Sequence, residues 1–109
     1  MRRKQTFKGG IMFSYRIFKQ ADDILLAISD SNIVGEILKE KDLEMKVSED
    51  FYSEKFCDDN KAITLIKNST IVNAIGKNII NLMLKEKLIE KENILKINGV
   101  PHAQIITIK

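Results

Sequence analysis

The sequence predicts an α+β fold with a mainly antiparallel sheet of four to five strands, built from two hairpins plus a middle strand, and with helices packed on one face. Two patterns indicate this fold: apolar and polar residues alternate near both ends of the chain, and apolar residues recur at three and four between them. With 109 residues, of which 44% are hydrophobic, the chain has the size of one ordinary domain with one core. We therefore predict a single α+β domain over residues 12–109.

The first predicted element is a hairpin. Large apolar and polar side chains alternate over residues 13–18, so that every second side chain shares one face of a strand. A polar turn at residues 20–23 leads to the apolar run at residues 24–28, which has the length of a second strand.

A short helix is predicted next, over residues 33–39. Ser31 or Asn32 is placed to cap it, because a side-chain oxygen at that position accepts a hydrogen bond from a free backbone N–H.

The middle strand is predicted over residues 43–47. There the apolar period changes to two, so that Leu43, Met45 and Val47 are expected to be buried. The irregular stretch that follows, residues 48–57, is predicted to be a loop that its aromatic side chains pin to the core.

Two helices are predicted in the second half of the chain. Asp58 or Asp59 caps the first, and the longest helix runs roughly over residues 69–87 with one apolar face. Gly76 falls on that buried face, where glycine costs about 1 kcal/mol of helix stability relative to alanine. Close approach by another backbone is the expected compensation.

A second hairpin is predicted at the C-terminal end. Its strands are residues 94–97 and 103–108, and Asn98-Gly99 is a dipeptide typical of a tight hairpin turn. The sole proline, Pro101, lacks an N–H donor and is therefore expected at a sheet edge or a bulge.

The charge of the chain is unevenly distributed. Its net charge is +3, but residues 1–11 carry four bases and no acid, which leaves 14 bases and 15 acids in the rest. We interpret residues 1–11 as a disordered basic tail or as an extension upstream of a start at Met12. Residues 40–59 hold eight acids and three lysines, whereas residues 60–87 hold five lysines and one glutamate. Such asymmetry steers charged partners, although two solvated faces also account for it.

Several protein classes are excluded. No run approaches the roughly 18 apolar residues of a membrane helix, and the charged N-terminus lacks the apolar stretch of a signal peptide, so we expect a cytoplasmic protein. Cys57 is the single cysteine, which excludes an internal disulfide and a cysteine-rich zinc site. Neither a glycine-rich phosphate loop nor the aromatic signature of an RNA-recognition motif occurs. We predict no cofactor and no metal.

Three segments resemble a known family. Residues 70–77 (TIVNAIGK), residues 99–104 (GVPHAQ) and residues 47–52 (VSEDFY) are similar to the archaeal domain of unknown function family 424, as is the opening strand from Met12. The resemblance covers residues 12–109 and ends at the basic tail. The resemblance implies a small archaeal cytosolic protein. It implies no reaction, ligand or catalytic residue for this chain.

Polar side chains at four-residue spacing on the longest predicted helix form the first candidate site. They are Asn73, Lys77, Asn81 and Lys85, whose amide and ammonium groups suit base edges and phosphate oxygens. The solvated outer face of an amphipathic helix has the same pattern and is the commoner explanation.

The segment around the sole histidine is the second candidate site. The His102 imidazole is suited to act as a general base, a metal ligand or a phosphate contact. The simpler interpretation, which we favour, is that Pro101 fixes the backbone while His102 and Gln104 satisfy backbone groups.

The leading functional prediction is a non-catalytic module that binds RNA or a ribonucleoprotein such as the ribosome. Its contacts are predicted to be Lys67, Asn73, Lys77, Lys85 and the basic tail, because phosphate binding depends on clustered cations. No catalytic set of residues accompanies them.

Two alternatives stay open. One is a small hydrolase or nuclease that uses His102 as general base with an acid from Asp58, Asp59 or Glu49, which requires His102 to border a pocket within reach of that carboxylate. The other is a protein-interaction subunit or homodimer that pairs through the edge strand next to Pro101.

Overall fold

The computed structural model describes residues 12–107; the predicted basic tail at residues 1–11 lies outside the described residues, as does the end of the chain. The strands in this part of the chain are β1 (Phe13–Gln20), β2 (Asp23–Asp30), β3 (Ile37–Glu40), β4 (Leu43–Lys46), β5 (Lys55–Cys57), β6 (Ile71–Ile75), β7 (Ile94–Ile97) and β8 (Val100–Ile106). The α-helices are α1 (Glu49–Tyr52), α2 (Asp59–Lys67) and α3 (Lys77–Lys85), with 3-10 turns at Ser31–Ile33 and Lys91–Asn93. None of these helices has the length and apolar character needed to cross a membrane.

Six of the strands form one mixed sheet in the order β5-β1-β2-β6-β8-β7. β2 and β6 pair in parallel, whereas the other neighbouring strands are antiparallel. The fold is α+β, but the predicted mainly antiparallel sheet of four to five strands is wrong, because the sheet has six strands and contains a parallel pair.

The parallel pair arises from a segment that was predicted to be helical. Residues 71–75 form β6, and α3 begins only after Gly76. Ile71, Val72 and Ile75 are β-branched, which favours a strand, and Gly76 has a φ of 126°, which a helix interior does not allow. The predicted single helix over residues 69–87 is therefore wrong; the segment is a strand, a glycine and a shorter helix.

A separate two-stranded sheet is formed by β3 and β4. The helix predicted over residues 33–39 is wrong, because the chain leaves the helical conformation after one 3-10 turn and Gly35 adopts a φ of 96°. β4 corresponds to the predicted middle strand but lies outside the main sheet. Val47 is buried and Met45 is half-buried, as predicted, whereas Leu43 is 60% exposed.

The main sheet carries a hydrophobic core on each side. On the side that we call the helix face, α2 and α3 pack against buried residues of β1, β2 and β6. On the opposite side, the hairpin face, Leu38 and Val47 of the β3–β4 region and Tyr52 of α1 pack against Ala27 and Ile75. The prediction that the helices pack on one face is therefore wrong for α1.

The aromatic segment that was predicted to be a loop contains α1 and β5. Ser48 caps α1, because its hydroxyl accepts a hydrogen bond from the Phe51 N–H at 3.4 Å, and β5 pairs with β1 at one edge of the sheet. Phe51 and Tyr52 pack into the core on the hairpin face, as predicted, whereas the same prediction is wrong for Phe56, which is 42% exposed. Asp58, one of the two predicted caps of α2, accepts a hydrogen bond from the Lys61 N–H at 3.0 Å.

Both predicted hairpins are confirmed. β1 pairs with β2, and β7 pairs with β8 around Asn98 and Gly99, whose φ values of 52° and 81° are those a tight hairpin turn requires. Pro101, however, lies at neither an edge nor a bulge, since β8 runs between β6 and β7. Its carbonyl accepts a hydrogen bond from the Gly76 N–H at 2.9 Å, so its missing N–H faces the point where β6 ends.

Candidate functional site

The first turn of α3 is held by a buried carboxylate. Asp30 ends β2, is 4% exposed, and accepts hydrogen bonds from the N–H groups of Asn78 at 2.9 Å and Ile79 at 2.8 Å. Burial raises the pKa of Asp30 above its ordinary 3.8, and the two backbone hydrogen bonds oppose that rise. Gly76 leaves room for this side chain, because a Cβ there would overlap the carboxylate and lie 2.7 Å from each oxygen. The close approach expected at Gly76 is thus made by a side chain and not by another backbone.

A groove of about 560 Å³ lies between α3 and the β7–β8 hairpin, on the helix face of the sheet. We call it the lysine groove. Its floor is apolar and consists of Ile80, Leu84, Ile94 and Pro101. Its rim carries Lys77, Asn81, Lys91 and Lys96, with Gly99 at the hairpin turn.

The rim of the lysine groove is positively charged. Lys77, Lys91 and Lys96 are exposed, and no carboxylate is among the lining residues. Glu90 and Glu92 flank Lys91 in sequence, and the Glu90 N–H donates a hydrogen bond to the side-chain oxygen of Asn93 at 3.0 Å. Ammonium groups at the rim suit phosphate oxygens, and the floor suits an apolar part of the same ligand.

A smaller depression of about 190 Å³ adjoins the lysine groove at Asn81, which lines both. Lys85 lies in this depression together with Asn78 and Asp59. Its charges are therefore balanced, whereas those of the lysine groove are not.

The structure places three of the four residues of the predicted polar stripe along α3. Lys77, Asn81 and Lys85 are all exposed along this helix. Asn73 does not belong to the stripe, because it lies in β6, directly opposite Gln104 of β8, on the hairpin face. Lys67, also predicted to contact RNA, ends α2 and lines neither depression.

His102 also lies on the hairpin face, opposite Ile75 of β6 and Leu95 of β7. It is half-buried, and neither its side chain nor that of Gln104 forms a hydrogen bond within residues 12–107, so the interpretation that they satisfy backbone groups is wrong. Since no buried side-chain nitrogen in this range lacks a partner, the ring nitrogens reach solvent. Pro101 points the other way, into the lysine groove, so the candidate residues are divided between two faces.

The acids proposed as partners of His102 do not form a pair with it. Asp58 directly follows β5, and β5 lies four strand spacings from β8, roughly 19 Å away. Asp59 begins α2 and Glu49 begins α1, and neither is hydrogen-bonded to His102. Within residues 12–107, no three His, Cys, Asp or Glu side chains are grouped so that they could hold a metal ion.

The pH dependence of stability will report on His102. Burial lowers its pKa below the ordinary 6.5, so the unfolded state binds a proton before the folded state does as the pH falls. The free energy of unfolding is therefore expected to decrease as the pH falls from 6.5 through the folded-state pKa, and His102→Gln will remove this decrease. Urea titrations of both proteins between about pH 5 and about pH 7.5 isolate the effect, because the chain has one histidine. Parallel pH profiles for the two proteins would contradict the prediction.

The thiol of Cys57 is expected to be unreactive in the folded protein. Cys57 is buried in β5, and burial, with a further contribution from Asp58, raises its pKa to about 12. Because the thiolate is the reactive form, a disulfide reagent should label the protein near neutral pH only after unfolding in urea. Labelling of the native protein at the rate of a free cysteine would contradict this expectation.

Asp30, Lys91 and Lys96 were missed by the sequence reasoning. Asp30 stands at the end of a strand, where an acid is an ordinary turn residue, and its partners are 48 and 49 positions away. Lys91 stands between two glutamates, so the net charge of this short segment is negative and does not indicate a basic site. Lys96 could have been placed beside Pro101 from the sequence, because a two-residue turn at Asn98-Gly99 sets these two residues opposite each other in the hairpin.

Comparison with known proteins supports the fold and the family. The crystal structure of an uncharacterized conserved protein from Methanopyrus kandleri is similar to this chain with a TM-score of 0.73 and 25% sequence identity, over 90% of this chain and 95% of the other. No curated protein matches the sequence. A family model described as "Protein of unknown function (DUF424)" matches residues 18–108, in agreement with the resemblance seen in the sequence. Since that match spans most of the chain, the protein belongs to the DUF424 family.

Proposed function

We propose that this protein is a cytoplasmic, non-catalytic module that binds RNA, free or within a ribonucleoprotein such as the ribosome, through the lysine groove. The observation that carries the proposal is the convergence of Lys77, Lys91 and Lys96 on one groove whose lining contains no carboxylate. These three lysines come from a helix, a 3-10 turn and a strand, so that the fold and not a local charge run brings them together.

The distribution of charge over the two faces supports this proposal. The β3–β4 hairpin and α1, on the hairpin face, span residues 37–52, which hold five acids and three lysines. The lysine groove opens on the other side of the sheet. An anionic polymer is therefore attracted to the helix face and repelled from the hairpin face, which orients the encounter.

Binding of single-stranded RNA is expected to depend on salt and on the three rim lysines. Three phosphate contacts correspond to a slope of log K against log salt concentration of about −2, and each lysine-to-alanine change reduces the magnitude of the slope by about 0.7. Fluorescence anisotropy of a labelled oligoribonucleotide over a salt series measures both quantities for wild type, Lys77→Ala, Lys91→Ala and Lys96→Ala.

The matched controls are Lys39→Ala and Lys46→Ala. Both residues are exposed on the β3–β4 hairpin, so each variant makes the same charge change away from the groove and is expected to bind as wild type does. Equal losses for controls and groove variants would mean that net charge alone drives binding. Absence of binding at low salt, where phosphate contacts are strongest, would refute the proposal.

Sedimentation of a lysate from the native host separates free RNA from a ribonucleoprotein as the partner. Co-migration with ribosomal particles at low salt, lost at high salt, supports a ribosomal partner held by phosphate contacts. Sedimentation at the top of the gradient under both conditions rules out a stable ribosomal partner.

A further inference from the structure

The lysine groove has a feature that phosphate binding alone does not require. Among its apolar lining residues, Leu84 and Ile94 are half-buried and stay accessible, whereas Ile80 and Pro101 are buried. A site for phosphate alone is lined by donors and cations, whereas this floor offers only apolar contact. Its occupant therefore combines an anionic part with a flat or apolar part.

We propose that the lysine groove holds one unpaired nucleotide of a single-stranded RNA, with the base on the floor formed by Leu84 and Ile94 and the flanking phosphates on the rim lysines. This inference rests on the proposed function and names the form of RNA that the site takes. A volume of about 560 Å³ lies in the range of pockets that enclose small ligands.

The geometry favours a single strand over a duplex. Bases of an A-form duplex are stacked inside it, and side chains cannot read its deep major groove, so a base reaches a recess between a helix and a sheet only when it is unstacked. Lysine side chains keep their charge at the rim while their aliphatic stems extend the apolar walls.

The charge of the neighbouring depression indicates the orientation of the nucleotide in the lysine groove. Asp59 lines that depression beside Lys85, and its carboxylate repels phosphate. The phosphates are therefore expected to lie on the side of Lys77, Lys91 and Lys96. Asn81, at the boundary between the two depressions, is placed to contact the base edge or the ribose by its amide.

Fluorescence anisotropy with three matched RNAs tests this inference. The probes are a short single-stranded oligoribonucleotide, its abasic counterpart with the same phosphates, and a duplex of the same sequence. The abasic strand is expected to bind wild type about tenfold more weakly than the intact strand, which corresponds to about 1.4 kcal/mol, and the duplex is expected to bind more weakly than the intact strand as well.

A pair of leucine variants tests the floor from the protein side. Leu84→Ala is expected to weaken binding of the intact strand and to leave the abasic strand unchanged. Leu65→Ala is the matched control, because Leu65 is a half-buried leucine of α2 outside the groove and its loss should change neither affinity. Circular dichroism establishes that both variants are folded. The comparison of intact and abasic strands uses the wild-type protein, so it does not depend on the folding of either variant.

The outcomes separate this inference from the proposed function. Equal affinities for intact and abasic strands, with dependence on the rim lysines retained, overturn the base-binding floor and leave the RNA-binding function standing. Equal affinities for single strand and duplex overturn it as well. Failure of all three RNAs to bind at low salt overturns both.

Discussion

Replacing Gly76 with alanine is expected to lower the free energy of unfolding by about 3 kcal/mol or more. The backbone there has φ 126° and ψ 150°, a conformation that essentially only glycine adopts. The added methyl group would also overlap the Asp30 carboxylate, with each oxygen 2.7 Å away. Urea unfolding followed by circular dichroism measures the loss.

Gly35→Ala is the matched control for the conformational part of this effect. Gly35 also has a positive φ, 96°, but a Cβ there would meet no atom within 4 Å. Its substitution is therefore expected to cost about 1 kcal/mol. If Gly76→Ala costs no more than Gly35→Ala, the overlap with Asp30 is not the cause.

Asp30→Ala is expected to lower the free energy of unfolding by about 2–4 kcal/mol. The substitution leaves the N–H groups of Asn78 and Ile79, which donate to Asp30 at 2.9 and 2.8 Å, without an acceptor at a helix end where Ile79 is buried. Asp30→Asn keeps the shape but offers one acceptor oxygen, so its effect should be intermediate. Urea titration of the three proteins gives the order.

Asp58→Ala provides the comparison with an ordinary cap. Asp58 accepts a single hydrogen bond at an exposed position, from the Lys61 N–H at 3.0 Å, and its removal is expected to cost about 1 kcal/mol. A loss at Asp30 as small as that at Asp58 would show that burial adds nothing to the cap. Combining Asp30→Ala with Gly76→Ala should cost less than the sum of the two, because the first substitution removes the group that the second overlaps.

The hairpins could be predicted from the sequence because their signals are local. The alternation in residues 13–18 and the Asn98-Gly99 turn each need only a few neighbouring residues to specify the pairing. The start of the longest predicted helix could not be assigned in this way. Ile71, Val72 and Ile75 satisfy helical spacing as well as strand propensity, and the feature that decides between them is the Asp30–Gly76 contact, between residues 46 positions apart.

The candidate site was predictable only in part for the same reason. Lys77 and Lys85 stood out because few acids surround them in sequence. Lys91 and Lys96 join Lys77 only when β7 is placed beside β8 and both beside α3. Asn73 was misplaced because residues four apart share one face only within a continuous helix. Gly76 ends that continuity, so Asn73 lies in β6 whereas Lys77 begins α3.

The carboxylate at the start of α3 also determines where a ligand cannot bind. A helix that follows a parallel strand commonly presents its free N–H groups to a phosphate, and many nucleotide-binding proteins recognise their ligands there. In this protein Asp30 supplies the anion from within the chain and accepts hydrogen bonds from two of those N–H groups. The Asp30 carboxylate therefore opposes a phosphate at that end of the helix by its volume and by like charge. The proposed recognition of an anionic polymer is for this reason assigned to the flank of α3, where it depends on side chains and not on backbone N–H groups.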